Sequence, residues 1–153
     1  RGRLDDTYLA HFTQTAAMLA RYYGDRIGHW ELWNEPDFAD SFLLAEDYAR
    51  LLGTVSATLK ARDGALQVVF GGLGGVDWPA LNYLRQVLAA LPAESTTFDI
   101  FALHPYPSQQ FRRNGQIILV NPYLRAQAPT VLAPFMAALR AAGQGTADMG
   151  AEC

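Results

Sequence analysis

Apolar side chains recur along this chain in two alternating patterns. In four segments they are three or four residues apart, the spacing that places them on one face of an α-helix. Between these segments lie short β-prone runs at residues 27–33, 66–70 and 98–103, which predict three buried strands. The predicted helical faces comprise Tyr8, Phe12, Ala16, Leu19 and Tyr23; Leu44, Tyr48, Leu51, Leu52, Val55 and Leu59; Leu81, Leu84, Leu88 and Leu91; and Val131, Leu132, Phe135, Met136 and Leu139.

Capping residues indicate where these helices begin and end. Asp5 or Asp6 can cap the first helix, and Asp77 the third, because a carboxylate accepts hydrogen bonds from the free N–H groups of a first turn. Gly24 and Gly143 are typical residues for ending a helix. Residues 116–120 fit either a short strand or part of a loop.

The alternation of helices and apolar strands predicts a parallel sheet covered by helices. An open doubly wound sheet and an α/β barrel both fit this order. A complete barrel needs eight strands and about 250 residues, whereas this chain has 153 residues and three predicted strands. We therefore expect residues 1–153 to form one partial domain, cut from a longer protein.

Composition excludes several classes of function. Half of the residues are hydrophobic and the formal net charge is −3, as in a soluble globular domain rather than a disordered one. The basic residues are dispersed, which argues against nucleic-acid binding. No apolar run approaches the roughly 20 residues of a membrane span. The single cysteine, Cys153, cannot form an internal disulfide, so localisation stays open, as does oligomeric state.

The segment His29-Trp30-Glu31-Leu32-Trp33-Asn34-Glu35-Pro36-Asp37 carries the clearest chemical signal. Strand alternation would place Glu31, Trp33 and Glu35 on one face, with Trp30 in the core on the other. Pro36 cannot continue a central strand. Glu35 is therefore expected at the carboxyl end of the strand, where α/β proteins bind ligands.

This crowding of carboxylates and indoles suits sugar chemistry better than it suits folding alone. A carboxyl group beside an apolar indole is disfavoured in its charged form, so it can hold a proton at neutral pH and act as a general acid. Indole faces stack on sugar rings, and an amide such as that of Asn34 hydrogen-bonds hydroxyl groups. Glu31, deeper in the strand, is predicted to be a buried, hydrogen-bonded structural carboxylate.

Trp33-Asn34-Glu35-Pro36, preceded by Trp30-Glu31-Leu32, resembles the Asn-Glu-Pro signature at strand 4 of retaining glycoside hydrolases with TIM barrels. The fuller motif is similar to family 39 and related cellulase-like members. The resemblance implies that the chain covers about strands 4 to 6 of such a barrel. It also implies that Glu35 is the acid/base and that Asn34 binds the sugar 2-hydroxyl. Trp33 is a further candidate for substrate contact, while a core position is also open for it.

Residues 98–106, ending in His104-Pro105-Tyr106, resemble strand 6 of the same enzymes, which often ends in a His-x-Tyr element facing the substrate. That resemblance assigns His104 and Tyr106 to the rim of the site. From the residues alone, a structural role for His104 is equally open.

A retaining enzyme also needs a nucleophilic carboxylate about 5–5.5 Å from the acid/base. The resemblance places it at the end of strand 7. Glu152 is the candidate within this chain, but no strand-like run precedes it. We expect a parent enzyme that hydrolyses a β-linked glycoside with retention of configuration and without a cofactor, and a chain that is inactive alone.

Two other interpretations stay open. The chain can be a carbohydrate-binding remnant of a barrel that no longer cleaves sugars. More weakly, Gly72-Leu73-Gly74-Gly75-Val76-Asp77 follows a strand as a dinucleotide-binding loop would, although Asp77 replaces the final glycine of that fingerprint. The histidines, His11, His29 and His104, lack metal-ligand spacing, so no metal site is predicted.

Overall fold

The computed structural model alternates helices with strands as the apolar pattern predicts. It describes residues 3–38, 41–92, 97–104, 109–113, 116–120 and 128–143. The elements in chain order are α1 (Asp6–Tyr23), β1 (His29–Leu32), α2 (Ala45–Arg62), β2 (Gln67–Leu73), α3 (Trp78–Ala90), β3 (Ile100–Leu103), β4 (Gln109–Arg113), β5 (Gln116–Val120) and α4 (Ala128–Ala141).

The helix boundaries follow from the predicted caps. The Asp5 side chain accepts hydrogen bonds from the backbone N–H groups of Thr7 and Tyr8 at the start of α1. Asp77 accepts from Ala80 N–H at the start of α3, and Gly24 caps the end of α1. Each cap satisfies backbone groups that have no partner inside the helix.

Strands β1, β2 and β3 form a parallel sheet in that order, with β2 in the centre. Phe70 pairs with Phe101, and Leu73 pairs with Leu103. Three steps along β2 therefore match two steps along β3, so β2 carries one extra residue at Gly71–Gly72. Such a bulge bends a strand and redirects its peptide groups, and bulges are common beside active sites.

The helices cover one face of this sheet. Leu32, Val68, Phe70 and Phe101 are buried there. Tyr48 of α2 packs edge-on against Phe70, with ring centroids 5.0 Å apart. Burying each large apolar side chain contributes about 1.5–3 kcal/mol, so this layer is the main source of stability. Other buried core residues are Leu51, Leu52, Val55, Leu59, Leu84, Val87, Phe135 and Leu139.

The opposite sheet face is more open and mixes polar with apolar side chains. His29 and Glu31 are exposed on β1, while Val69 and Ile100 are half-buried. In a closed barrel this face would be the interior. Among the described elements none packs over it.

Outside this sheet, β4 and β5 pair antiparallel as a hairpin. Residues 116–120 are thus a strand, one of the two outcomes that the sequence allowed. Strand β4 was not predicted, because its sequence QQFRR lacks an apolar alternation. In the part of the chain that the structure describes, no helix is both long and apolar enough to cross a membrane.

Candidate active site

The carboxyl ends of β1, β2 and β3 lie at one edge of the sheet because the strands are parallel. The loop after β1 carries Glu35, the glycine-rich loop after β2 follows Leu73, and His104 directly follows β3. Three segments far apart in sequence therefore meet at the edge where α/β folds bind ligands.

The backbone leaves β1 in an unusual conformation. Trp33 has a φ of 78° and Glu35 a φ of 46°, both in the left-handed region. Non-glycine residues in this region cost about 1–3 kcal/mol each and cluster at functional sites. The strand ends at Leu32, so the alternation predicted through Glu35 was wrong beyond that residue.

Three hydrogen bonds hold this strained loop. Glu35 N–H donates to the carbonyl oxygen of Gly72 at 2.9 Å. The Ser41 hydroxyl donates to the Glu35 carbonyl at 2.8 Å, and the Trp33 indole N–H donates to the Ser41 carbonyl at 2.8 Å. Ser41 could not be predicted from the sequence, because its partners are backbone atoms reached through a turn.

The Glu35 carboxyl group faces the His104 imidazole. Oε1 of Glu35 and Nδ1 of His104 are 2.9 Å apart. The two side chains are 15% and 28% exposed, so the pair is largely shielded from water and its interaction is stronger than on an open surface. The structure thus brings together two residues that the sequence assigned to the site.

Glu31 lies on the open sheet face below this pair. Its Oε1 accepts a hydrogen bond from Gly72 N–H at 2.7 Å. The predicted hydrogen bond is confirmed, whereas the predicted burial is wrong, since the described elements leave Glu31 exposed. Glu31, His29 and His104 help to line a cavity of about 310 Å³ on this face.

Trp33 and Asn34 border a second hollow, of about 470 Å³, together with Phe12, Glu31 and Ser41. The Trp33 ring is half-buried and packs against Phe12 with a centroid distance of 5.8 Å. Asn34 is exposed, so its amide is accessible to a ligand. Trp30 is partly buried against the core, as predicted. Tyr106 and Glu152 lie outside the described residues.

The sequence matches no protein-family model and no curated protein. Solved structures do match. A GH39 enzyme from Xanthomonas axonopodis pv. citri aligns over 93% of this chain with a TM-score of 0.66 and 21% identity. A monomeric beta-xylosidase from Caulobacter crescentus CB15 aligns over 92% with a TM-score of 0.71 and 16% identity. The fold is that of part of a TIM barrel, as in these two structures. The chain spans 29% and 30% of the lengths of these two proteins.

The predicted partial (β/α)8 barrel is therefore confirmed, and the open doubly wound sheet is not the architecture. In a TIM barrel, the open sheet face with Glu31 corresponds to the interior, and the edge with Glu35 corresponds to the end that carries active sites in this fold.

Asp37 connects the loop that follows β1 to the loop that follows β2. Its Oδ1 accepts a hydrogen bond from Gly74 N–H at 2.8 Å. Burial raises the pKa of the Asp37 carboxyl above its ordinary value, and the negative charges of Glu35 and Asp77 raise it further, against the opposing effect of the Gly74 hydrogen bond. Asp37 stood in the motif, but its partner in the next loop was not predicted.

The glycine-rich loop does not form a phosphate cradle. A dinucleotide-binding loop offers free backbone N–H groups to phosphate. Here the N–H groups of Gly72 and Gly74 donate to the carboxylates of Glu31 and Asp37. Within the described segments, no cluster of three His, Cys, Asp or Glu side chains is arranged to hold a metal ion.

The arrangement can present and accept a proton at the barrel edge. At 2.9 Å, the Glu35 carboxyl and the His104 ring nitrogen can share one proton. The strained loop and its hydrogen bonds hold the carboxyl in one place, which general acid–base catalysis requires.

Proposed function

We propose that this chain is the central part of a glycoside hydrolase in which Glu35 is the general acid/base. The observation that carries the proposal is the Glu35–His104 pair at the carboxyl edge of parallel barrel strands. Backbone strain at Glu35 supports it, because such strain persists where the surrounding structure holds a functional group in place.

In the proposed reaction Glu35 protonates the glycosidic oxygen as the bond to the sugar breaks. It then removes a proton from water as the water attacks the sugar carbon. Asn34 is proposed to hold the 2-hydroxyl, and Trp33, His104 and Tyr106 to contact the sugar. The role of Asn34 rests on the Asn-Glu-Pro resemblance, that of Trp33 on its place in the same motif, and those of His104 and Tyr106 on the His-x-Tyr resemblance. Trp33, Asn34 and His104 also lie at the barrel edge.

The substrate class we propose is a β-linked glycoside, cleaved with retention. The similarity to a beta-xylosidase structure supports a β-linked sugar. Retention requires a nucleophilic carboxylate about 5–5.5 Å from Glu35. We propose that the complete protein supplies it after α4, with Glu152 as the candidate in this sequence, and that this chain alone does not turn over.

The test uses the complete protein that contains this chain and compares Glu35→Gln with the wild type. On an unactivated β-linked disaccharide, kcat should fall by about 10²–10⁴-fold, the usual contribution of general acid–base catalysis. An aryl glycoside with a good leaving group needs less protonation, so its first step should suffer less. Glu46→Gln is the matched control, because Glu46 lies on α2 and forms an exposed salt bridge with Arg3. Wild-type turnover of the disaccharide by Glu35→Gln would refute the assignment.

A second measurement addresses stereochemistry. In Glu35→Ala, added azide should restore turnover of an activated aryl glycoside, because it displaces the enzyme carboxylate from the glycosyl-enzyme without needing a base. The product should be a glycosyl azide with the substrate's anomeric configuration, read by NMR. An inverted product would contradict the retaining mechanism.

A further inference from the structure

Gly72 lies between Glu31 of the neighbouring strand β1 and Glu35 of the loop that follows β1. Its N–H donates to Glu31 Oε1 at 2.7 Å, and its carbonyl accepts from Glu35 N–H at 2.9 Å. The bulge at Gly71–Gly72 accounts for this arrangement, because an extra residue takes peptide groups out of the regular ladder. Both backbone polar groups of Gly72, which belong to two successive peptides, are therefore committed to the segment that carries the proposed acid/base.

Gly72 also sets the place of the imidazole. A Cβ atom at position 72 would lie 2.3 Å from Nε2 of His104 and 2.6 Å from its Cδ2. The ring therefore rests directly on the Gly72 backbone, while its other nitrogen, Nδ1, faces Glu35. A side chain at position 72 would force the ring to move and change the distance from Nδ1 to the Glu35 carboxyl.

Glu31 orients the Gly72 N–H. Its carboxylate reaches this donor from the open face of the sheet. Its hydrogen bond to Gly72 needs an acceptor oxygen, which an amide side chain of the same length also provides.

We propose that Gly72, held by Glu31, is a positioning residue that sets the geometry of the Glu35–His104 pair. The proposal rests on the proposed function of Glu35, which it deepens. Neither residue touches the reacting atoms: Gly72 acts through the Glu35 backbone and the His104 ring, and Glu31 acts through Gly72.

The test compares Gly72→Ala, Glu31→Gln and Glu31→Ala in the complete protein. The control is Gly64→Ala, where an added Cβ meets no atom within 4 Å. The readout that does not depend on activity is the NMR titration of the His104 ring nitrogens, assigned by comparison with a His104 variant. The second readout is the pH dependence of kcat/KM on an unactivated glycoside.

We expect Gly72→Ala to move the His104 ring signals and their titration and to reduce kcat by about 10²-fold, the cost typical of a displacement near 1 Å. Glu31→Ala should shift both readouts in the same direction, whereas Glu31→Gln should stay within about 3-fold of the wild type because it keeps the acceptor. Gly64→Ala should match the wild type in both.

Unchanged ring titration and pH profile in Gly72→Ala would overturn the proposal, as would equal behaviour of Glu31→Ala and Glu31→Gln. If Gly72→Ala does not fold, the two Glu31 variants decide. Failure of the proposed function can be distinguished from failure of this proposal. If Glu35→Gln keeps full activity, the acid/base assignment fails, while the ring titrations still report whether Gly72 positions His104 against Glu35.

Discussion

His104 Nδ1 and Glu35 Oε1 are 2.9 Å apart, although the strands that precede them, β3 and β1, are not neighbours in the sheet. The contact crosses the end of β2 and passes over Gly72, which has no side chain to obstruct it. The geometry of the site thus depends on the central strand as much as on the two residues that form the pair.

Removing the imidazole should alter the proton chemistry of the site. In the complete protein, His104→Ala should lower kcat/KM and change the shape of its pH profile, because the ring nitrogen within hydrogen-bond distance of Glu35 is lost. His104→Asn should retain more activity at neutral pH, since its amide can donate near the Nδ1 position without titrating. His11→Ala, an exposed change on α1, is the control. Identical profiles for His104→Ala and His11→Ala would contradict the prediction.

Tyr48 should contribute strongly to stability through its buried hydroxyl. The hydroxyl donates to the Leu32 carbonyl at 3.0 Å and accepts from Gly71 N–H at 2.7 Å. Tyr48→Phe leaves both backbone groups buried without this partner, so the free energy of unfolding should fall by about 2 kcal/mol or more in urea titrations. Tyr22→Phe, whose ring is 70% exposed, should change it little. Equal stabilities of the two variants would show that the hydroxyl bonds are dispensable.

Tyr48 should also make stability depend on alkaline pH. Burial raises the pKa of the Tyr48 hydroxyl well above its ordinary value of 10.0. Above pH 10 the unfolded chain therefore loses this proton while the native chain keeps it, and the free energy of unfolding falls as the pH rises. Tyr48→Phe lacks this contribution, so the difference between wild type and variant should narrow between pH 9 and about pH 11. A difference that stays constant would argue against a buried, protonated Tyr48.

Asp37 should destabilise the native state at neutral pH. Burial raises the pKa of its carboxyl above 3.8, so the native state binds this proton more tightly than the unfolded chain does. Its contribution to the free energy of unfolding therefore falls as the pH rises through the raised pKa. Asp37→Asn keeps an acceptor for Gly74 N–H without the charge, and should be at least as stable as the wild type at pH 7, with the advantage lost below about pH 4.

Asp25→Asn, at an exposed carboxylate, is the control for that experiment. Thermal unfolding at several pH values measures both variants. An Asp37→Asn protein that gains stability relative to the wild type only on acidification would reverse the predicted sign. Asp37→Ala, which lacks any acceptor for Gly74, should be less stable than Asp37→Asn at pH 7.

Asp99 should stabilise the pairing of β2 with β3. Its Oδ2 accepts from Val68 N–H at 2.8 Å, and its Oδ1 pairs with Lys60 Nζ at 2.7 Å. Asp99→Ala should lower the free energy of unfolding by about 1–3 kcal/mol, because a partly buried N–H loses its acceptor. Lys60→Met should cost less, since it leaves the Val68 bond intact. A larger loss for Lys60→Met would place the stabilisation in the ion pair instead.

The sequence was sufficient where local chemistry decides structure. The caps at Asp5 and Asp77 set the starts of two helices, and apolar runs located all three strands of the parallel sheet. The motif also placed Glu35 at a strand end, and the similarity of residues 98–106 to a barrel strand brought His104 to the same edge.

The sequence was insufficient where long-range contacts override local preference. Nothing local predicts left-handed backbone at Trp33 and Glu35, since these residue types rarely adopt it. That conformation depends on Gly72 and Ser41, which are distant or separated by a turn. Glu31 was expected to be buried, but the described strands leave its face of the sheet uncovered.

The extra residue in β2 also constrains how this chain can change over evolution. Deleting Gly71 or Gly72 would make the ladder regular and keep Leu73 opposite Leu103, but the N–H and carbonyl groups that now bond to Glu31 and Glu35 would leave their positions. Substitution at Leu73 leaves the extra residue in place, whereas such a deletion does not. In an alignment of related sequences, a one-residue gap at this point would therefore mark a lineage that supports the loop after β1 by other means.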